Sequence, residues 1–137
     1  MVLSYPVKLT AEGDHVLVDF PDLPEAHTWG EDRDEALARA VDALTTIVGA
    51  CMRDGQPVPR PSRRRGPTVP LPPLAGAKVE LYNAMVEQGV NRAELGRRLN
   101  WERPRVDRAL DVLHISRIDE IEHALAAVGK RIELRVV

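Results

Sequence analysis

"LGRRLNWERPRVDRAL", residues 95–110, decides the fold that we predict for the second half of the chain. Gly96 provides the small residue that is needed where two helices cross closely, and Asn100 tolerates a left-handed backbone better than most residues. Pro104 suits the first turn of a second helix, because its missing N–H breaks no intrahelical hydrogen bond there. The spacing therefore predicts a helix-turn-helix.

The side chains of this segment separate into a packing set and a basic set. The apolar side chains that we expect to lock the two helices are Leu95, Leu99, Trp101, Val106 and Leu110. Arg103, Arg105 and Arg108 would lie on the outward part of the second helix, which enters the major groove in DNA-binding helix pairs. Arginine there can bond guanine bidentately, while Arg97 or Arg98 can reach phosphates. We therefore predict DNA contacts for these five arginines.

A second interpretation treats the same segment as an ordinary solvated helix pair. Between Asn91 and Arg117 the chain holds seven arginines and four acids, which leaves a local net charge of +3. Those acids are Glu94, Glu102, Asp107 and Asp111. In this interpretation the arginines pair with neighbouring carboxylates on the helix surface instead of with DNA. The sequence leaves both interpretations open.

Helical patterns continue on both sides of this segment. Residues 77–88 predict a helix that Gly89 ends, and residues 102–112 and 118–128 predict two more. The closing "KRIELRVV", residues 130–137, alternates apolar and polar side chains and predicts a short strand. Its unpaired edge would suit a sheet formed across two subunits, so we expect a homodimer or a higher even oligomer.

The first half of the chain predicts a small antiparallel sheet. Residues 4–10 and 15–20 have the character of strands, and the glycine and aspartate of the intervening 11–14 supply a hairpin turn. Residues 26–29 predict a short third strand. Residues 67–72 hold a possible last strand, which would lie at an edge because proline cannot donate to a ladder.

The clearest helix in the sequence begins after Asp32. That residue can cap the helix, Glu35 three residues later completes a capping-box-like pair, and Gly55 is a candidate C-terminal cap. Apolar residues recur at helical spacing between these caps and define a stripe that would pack on the strands. Cys51, the only cysteine, lies in this stripe. We expect it to be a buried small side chain, with a reactive thiol as the alternative.

Charge is distributed unevenly along the chain. Residues 1–59 carry four basic and eleven acidic side chains, a net of −7, although the whole chain has a net charge of only −2. Such an acidic module would repel nucleic acid and attract a basic protein. "RPSRRRG", residues 60–66, adds four arginines and no acid. This basic run is either a flexible, solvated hinge or an arm that follows DNA phosphates.

Several classes of function are not expected from this sequence. No apolar run approaches the ~18 residues of a membrane span, and the start lacks a signal-peptide pattern, so we expect a cytoplasmic protein. The histidines are scattered without zinc-ligand spacing, and no glycine-rich phosphate loop appears. Four carboxylates crowd the hairpin region, but strand alternation gives no reason for two to converge on Mg²⁺. They are Asp14, Asp19, Asp22 and Glu25. We therefore expect no metal, no cofactor and no enzyme activity.

Segments of both halves are similar to one known family. In the first half, "YPVKL" at 5–9, "FPDLPEAHTWGEDRDEAL" at 20–37 and "GQPVPRPS" at 55–62 resemble the HicB-type antitoxins of prokaryotic toxin–antitoxin pairs. In the second half, "AELGRRLNWERPRVDRALD" at 93–111 and "IDEIEHALAAVGKRIEL" at 118–134 resemble the Cro-like helix-turn-helix of one branch of that family. The order of the two halves is more specific than either half alone.

The resemblance implies an α+β protein with two domains. Residues 1–66 would form a toxin-binding, partial ribonuclease-H-like sheet with one packed helix and a basic linker, and 67–72 would add its possible last strand. Residues 73–137 would form an all-α helix-turn-helix domain, ending in a short strand, that dimerises and binds operator DNA. The implied partner is a small, basic, mRNA-cleaving HicA-type toxin, and the shared operon would be repressed.

The toxin-binding surface that we expect is acidic and lies at the end of the predicted hairpin. Its candidate residues are Asp19, Asp22, Glu25, His27 and Trp29. Solubility is the alternative role for the carboxylates, and a core position is the alternative for Trp29. The family's usual glycine and serine in the helix turn are Asn100 and Glu102 here, which predicts a weaker cap for the second helix. A stand-alone transcriptional regulator, whose first half senses a ligand or another protein, is the alternative function.

Overall fold

The computed structural model describes residues 3–137 and divides into two compact units. The first unit ends at Pro73, and the second spans Leu74–Val137. Within the described residues, the first unit contains five strands and one helix, in the order β1 (Ser4–Pro6), β2 (Lys8–Glu12), β3 (His15–Asp19), β4 (His27–Gly30), α1 (Arg33–Arg53) and β5 (Thr68–Pro70). The helices that follow are α2 (Pro73–Gln88), α3 (Arg92–Leu99), α4 (Arg103–Ala109) and α5 (Ile118–Ala126). The protein is thus α+β, as predicted.

The strands of the first unit form two antiparallel sheets. One sheet pairs β1 with β5, and the other has the order β2-β3-β4. The prediction of a single strand over residues 4–10 is wrong, because the chain leaves the first sheet at Pro6 and enters the second at Lys8. Between these two residues the Val7 N–H donates to the carbonyl oxygen of Pro67. The predicted hairpin, third strand and last edge strand are all present.

Helix α1 packs on one face of the three-stranded sheet. Its N-terminus is capped as predicted, since the Asp32 carboxylate accepts a 2.8 Å hydrogen bond from the Glu35 N–H. Gly30, at the end of β4, lies where the first turn of α1 approaches most closely. A Cβ atom on that glycine would lie 2.3 Å from the backbone nitrogen of Ala36. No residue with a side chain fits there without moving the helix.

The core of the first unit joins both sheets to α1. Its largest fully buried side chains are Tyr5, Val18, Phe20, Leu44, Val48 and Val69. Burying each such side chain contributes on the order of 1.5–3 kcal/mol. The hydroxyl of Tyr5 donates a 2.6 Å hydrogen bond to the Pro59 carbonyl, so the ring is buried without leaving its polar end unpaired. Tyr5 is therefore a core residue of the first unit.

The second unit is helical and has its own core. Its largest fully buried apolar side chains are Val79, Leu81, Leu95, Val106 and Ile121. Helix α2 starts earlier than predicted because Pro73 provides a suitable first-turn residue. Helix α4 is shorter than predicted and ends at Ala109. No helix in residues 3–137 combines the length and the apolar character that a membrane crossing requires.

The strand predicted for residues 130–137 is wrong for the single chain. These residues have no regular secondary structure, and Leu134 and Val136 are 84% and 87% exposed. The physical reason is that a strand needs a partner for its N–H and C=O groups. The described part of the second unit contains no other strand that could provide one. The alternating pattern alone could not show this.

Candidate binding surfaces

Helices α3 and α4 are joined by a turn. At Asn100 and at Gly96 this turn has the backbone conformation and the close approach that the sequence predicted. Asn100 is left-handed, with φ 56° and ψ 46°, and it is the sole non-glycine with positive φ among residues 3–137. The Trp101 N–H donates a 2.9 Å hydrogen bond back to the Gly96 carbonyl. A Cβ atom on Gly96 would lie 3.0 Å from the Trp101 carbonyl oxygen and 3.5 Å from the Val106 side chain. The glycine thus permits the close crossing.

The two helices differ in how their N-termini are capped. The Asn91 side chain accepts a 2.8 Å hydrogen bond from the Glu94 N–H and caps α3. At the start of α4, Glu102 makes no side-chain cap hydrogen bond, as the sequence predicted. Three of the apolar side chains that we expected to pack the two helices together are buried, namely Leu95, Val106 and Leu110. The other two, Leu99 and Trp101, are half-buried.

Arg97, Arg98 and Arg103 contact carboxylates of their own unit. Arg97 and Arg98 both bind Glu94, and these hydrogen bonds hold the pKa of that carboxyl below its ordinary value. Arg103 donates a 2.9 Å hydrogen bond to Asp107, which also accepts one from Arg92. Burial acts to raise the pKa of Asp107, but the two arginines outweigh it and the pKa is lowered. These pairs match the solvated-helix interpretation.

Arg105 and Arg108 lie in different environments on α4. The Arg105 guanidinium binds the Glu120 carboxylate at 2.7 Å and lies 4.3 Å from the ring centre of Trp101. Arg108 is exposed and forms no ion pair with any of residues 3–137. Exposed pairs are worth only about 0–1 kcal/mol, so their arginines can exchange a carboxylate for a phosphate or a base at small cost. The pairing therefore does not exclude a nucleic-acid surface.

Lys78 on α2 is a residue of this region that the sequence interpretation missed. Its side chain is fully buried, and its ammonium donates hydrogen bonds to the carbonyl oxygens of Arg108, Asp111 and His114 and to the Ser116 hydroxyl. Burial lowers its pKa, opposed by the charges of Asp111 and Glu120. The available signal was its spacing: Lys78 shares a helical face with the buried Leu81, Tyr82 and Met85.

Three of the five candidates for toxin binding share the sheet face that points away from α1. In the register of the sheet, Lys8, Asp19 and His27 lie side by side across the three strands. Because side chains alternate along a strand, this row faces opposite to the buried Val18. Trp29 belongs to the same face and is 44% exposed, so the core alternative for this tryptophan is not supported.

The Trp29 ring is held in place on this face although it is exposed. It makes an edge contact with the His15 ring, with a centroid distance of 4.8 Å, and the Arg39 guanidinium lies 5.0 Å from its centre. An ordered and exposed aromatic side chain is typical of a protein-binding anchor. The structure brings Asp19, His27 and Trp29 together on one surface.

The remaining two candidates lie outside the row of Asp19, His27 and Trp29, although Glu25 shares a cavity with His27. The Asp22 carboxylate accepts a 2.8 Å hydrogen bond from the Ser62 N–H, so it fastens the basic run to the first unit. Glu25 lines a cavity of about 450 Å³ between β4 and α1, together with His27 and Arg39. The contact between Asp22 and Ser62 could not be predicted from a local pattern, because forty residues separate the two in sequence.

The part of the chain from residue 3 onward shows no cluster of three or more His, Cys, Asp or Glu side chains that could hold a metal ion. Cys51 is half-buried rather than fully buried. Burial, with added repulsion from Glu25 and Asp54, raises the pKa of its thiol. A raised pKa disfavours the thiolate and therefore disfavours the reactive-thiol alternative.

Comparison with known proteins gives consistent matches over nearly the full chain. Residues 4–80 match the family model described as HicB_like antitoxin of bacterial toxin-antitoxin system. Antitoxin HicB of Pseudomonas fluorescens (strain Pf0-1) is 37% identical over 139 residues, covering 99% of this chain and 95% of its own. Antitoxin HicB 2 of Photorhabdus laumondii is 39% identical, covering 96% and 95%. Antitoxin HicB of Escherichia coli (strain K12) is 34% identical, covering 98% and 100%.

Proposed function

Because the chain belongs to the HicB-like antitoxin family of bacterial toxin–antitoxin systems, we propose that its two units have separate partners. The first unit neutralises a small, basic, mRNA-cleaving toxin of the HicA type. The second unit binds operator DNA in a sequence-specific manner and represses the operon. The observation that carries this proposal is the separation of an acidic module with an exposed aromatic anchor from an arginine-rich helix pair.

Toxin binding is assigned to the outer face of the three-stranded sheet. Residues 1–59 have a net charge of −7, which complements a basic protein and would increase its association rate. Asp19 and His27 provide polar groups on this face, and Trp29 provides an anchor of large area. A toxin bound here would have its RNA-cutting surface covered. No chemistry by the antitoxin is needed for such inhibition.

Operator binding is assigned to the α3–α4 pair. The exposed arginines of α4 are Arg103, Arg105 and Arg108, and those at the end of α3 are Arg97 and Arg98. In the proposed complex, the first three contact base edges in the major groove, and the other two contact phosphates. The carboxylates that pair with Arg97, Arg98, Arg103 and Arg105 compete with DNA and reduce the DNA affinity of a single copy. Two copies acting together would therefore bind a repeated half-site.

We expect the contact with a second copy of the chain to form at the C-terminus. Residues 130–137 lack a strand partner within the described chain, and Leu134, Val136 and Val137 are exposed. Pairing of this segment with its counterpart in another subunit would satisfy its backbone groups and bury those side chains. The proposed assembly is a homodimer or a higher even oligomer.

Two measurements test the proposed function. Co-expression with the product of the adjacent gene, followed by the mass of the purified complex, should show a stable complex that lacks ribonuclease activity. Gel-shift titration with the promoter DNA of the operon should show binding that an unrelated duplex does not compete away. A toxin that stays active in the presence of the protein would contradict neutralisation, and equal binding to both duplexes would contradict repression through an operator.

One observation favours a second function. The cavity of about 450 Å³ between β4 and α1 falls within the usual size range of small-molecule sites. The protein would then be a stand-alone transcriptional regulator whose first unit senses a ligand or another protein. A neighbouring gene for a small basic protein distinguishes the two functions, because a stand-alone regulator has no need of one.

A further inference from the structure

A second cavity of the first unit, of about 500 Å³, has an unusual set of charges. Its charged lining residues are Lys8, Arg33, Arg64 and Arg65, and the other residues that line it are apolar or proline. No carboxylate is among the lining residues. Four basic residues therefore line one open space in a unit whose residues 1–59 have a net charge of −7.

Three separate segments bring these cations together. Lys8 begins β2, and Arg33 begins α1. Arg64 and Arg65 belong to the basic run 60–66, which the sequence predicted to be either a free hinge or an arm. The convergence of the three segments depends on tertiary structure and has no counterpart in a local motif.

The basic run is fastened to the first unit on both sides of the two arginines. On one side the Ser62 N–H donates to Asp22 at 2.8 Å, and on the other the Val7 N–H donates to the Pro67 carbonyl at 3.0 Å. The Arg64 guanidinium also donates to the Ser62 hydroxyl at 3.3 Å. Because both sides are held, Arg64 and Arg65 are presented to the cavity by an ordered backbone instead of by a free arm.

The four cations of the cavity differ in their pairing from most of the arginines on α3 and α4, Arg108 being the exception. None of the four forms an ion pair with any of residues 3–137. This holds even for Lys8, which lies directly opposite Asp19 in the sheet register. By contrast, Arg97, Arg98, Arg103 and Arg105 each bind a carboxylate. The cavity is thus lined by four basic side chains that form no direct ion pair within residues 3–137.

Such an arrangement favours an anion with several acceptor oxygens. Like charges that surround one cavity repel each other, and a bound anion removes that repulsion. Guanidinium groups match phosphate geometry bidentately, and lysine adds a point charge. Residues 66–73 alone separate Arg65 from the unit that carries α4, so the cavity lies close in the sequence to the proposed DNA-binding unit.

We propose that the cavity lined by Lys8, Arg33, Arg64 and Arg65 binds backbone phosphates of operator DNA, outside the bases read by α4. The proposal rests on the proposed operator binding and adds a second, sequence-independent contact from the first unit. It assigns the acidic module a part in DNA binding that its net charge conceals. A free phosphate compound is the other source of the same chemistry, and the experiment separates the two.

The test is the salt dependence of DNA binding by the full chain. Arg64→Gln with Arg65→Gln should reduce the slope of log K against log salt concentration by about 0.9 for each phosphate that is no longer bound, hence by about 1–2. The preference for operator over unrelated duplex should remain. Arg53→Gln with Arg63→Gln is the matched control, because it removes the same charge from exposed positions that do not line the cavity.

Several outcomes would overturn the proposal. An unchanged slope shows that the cavity does not contact DNA, and an equal decrease in the control shows a general effect of charge. Calorimetric titration with inorganic pyrophosphate forms the second arm. Binding of pyrophosphate that depends on Arg64 and Arg65, with an unchanged slope on DNA, would assign the site to a free phosphate compound and overturn the DNA contact.

Failure of the proposed function gives a different result from failure of this inference. If the parent chain binds operator and unrelated duplex equally, sequence-specific repression is contradicted. In that case the salt dependence is measured with the unrelated duplex. A slope of log K against log salt concentration that is reduced by the Arg64 and Arg65 substitutions supports a phosphate contact at the cavity, and an unchanged slope overturns it.

Discussion

The ammonium of Lys78 donates a 3.0 Å hydrogen bond to the backbone carbonyl oxygen of Arg108, near the C-terminal end of α4. The last carbonyls of a helix lack partners within the helix and attract positive charge. The same ammonium binds the carbonyls of Asp111 and His114, at 2.8 and 2.7 Å. A buried cation on α2 therefore holds the end of the helix that we assign to DNA reading, together with the loop that follows it.

Lys78→Met should destabilise the second unit strongly. Methionine has a similar length but no donor. The carbonyls of Arg108 and Asp111 keep backbone hydrogen bonds from the N–H groups of Asp111 and His114. The His114 carbonyl loses its donor, at a cost of about 1–3 kcal/mol if it stays buried and unpaired, and the other lost hydrogen bonds add to that cost. Chemical denaturation followed by a probe in this unit, such as Trp101 fluorescence, measures the change. Lys130→Met, at an exposed lysine, is the control. A destabilisation below about 0.5 kcal/mol, the range of ordinary surface substitutions, would contradict the assigned role.

Protonation of Asp107 at low pH should reduce the stability of the second unit. Its pKa is lowered from 3.8 in the folded protein because Arg103 and Arg92 donate to it. A carboxyl with a lowered folded pKa contributes stability that is fully present above its unfolded pKa and is lost as the pH falls through the folded pKa. The difference in unfolding free energy between the parent and Asp107→Asn should therefore shrink below about pH 3.8. A difference that stays constant between about pH 7 and about pH 2.5 would be inconsistent with this pairing.

Arg103→Ala with Arg105→Ala should abolish operator binding and leave toxin neutralisation intact. Each arginine that no longer reads a base is expected to cost about 1–3 kcal/mol of discrimination. Gel-shift titration measures the first effect and a translation assay with toxin the second. Arg117→Ala removes an exposed arginine outside α4 and serves as the control. Unchanged operator affinity in the double variant would show that α4 is not the reading helix.

A fragment of residues 1–72 should fold and bind toxin, whereas residues 1–66 should not fold stably. The shorter fragment lacks β5, which pairs with β1 and carries the buried Val69 opposite Tyr5. Loss of the Val69 side chain alone removes about 1.5–3 kcal/mol of stabilisation by hydrophobic burial, and it also exposes the Tyr5 ring. Circular dichroism during heating compares the two fragments. Equal melting temperatures would show that β5 is dispensable.

Trp29→Ala should weaken toxin binding by at least ~2 kcal/mol, the effect of an aromatic anchor at an interface centre. Its effect on stability should be smaller, because the side chain is 44% exposed in the free protein. Calorimetric titration with a catalytically inactive toxin variant measures the affinity. Val86→Ala provides a matched control at an exposed apolar residue of the second unit. Unchanged affinity for Trp29→Ala would place the toxin on another surface.

Local signals in the sequence predicted the parts of the fold that depend on local interactions. The Asp32 cap, the hairpin after β2 and the left-handed turn at Asn100 each follow from residues within a few positions of one another. The same holds for the missing cap at Glu102. Helix periodicity likewise located the buried stripe of α1, since that pattern reports which face meets the sheet.

Contacts between distant residues account for what the sequence interpretation missed. The division of residues 4–10 between two sheets depends on β5, which lies far along the chain at Thr68–Pro70. The hydrogen bond from the Ser62 N–H to Asp22 ties down a run that had the composition of a linker. The error at residues 130–137 has the same origin, because an alternating pattern predicts a strand without showing whether a partner strand exists.

By itself, the sequence determined the capped helices, the turns, the α+β class and the division of charge, because short-range hydrogen bonds and the spacing of apolar residues are encoded locally. The tertiary structure alone decided which charged groups meet. It placed the Lys78 ammonium against three carbonyl oxygens at and after the end of α4, and it gathered Lys8, Arg33, Arg64 and Arg65 around one cavity. Electrostatic energy depends on distance in space, and separation along the chain does not report that distance.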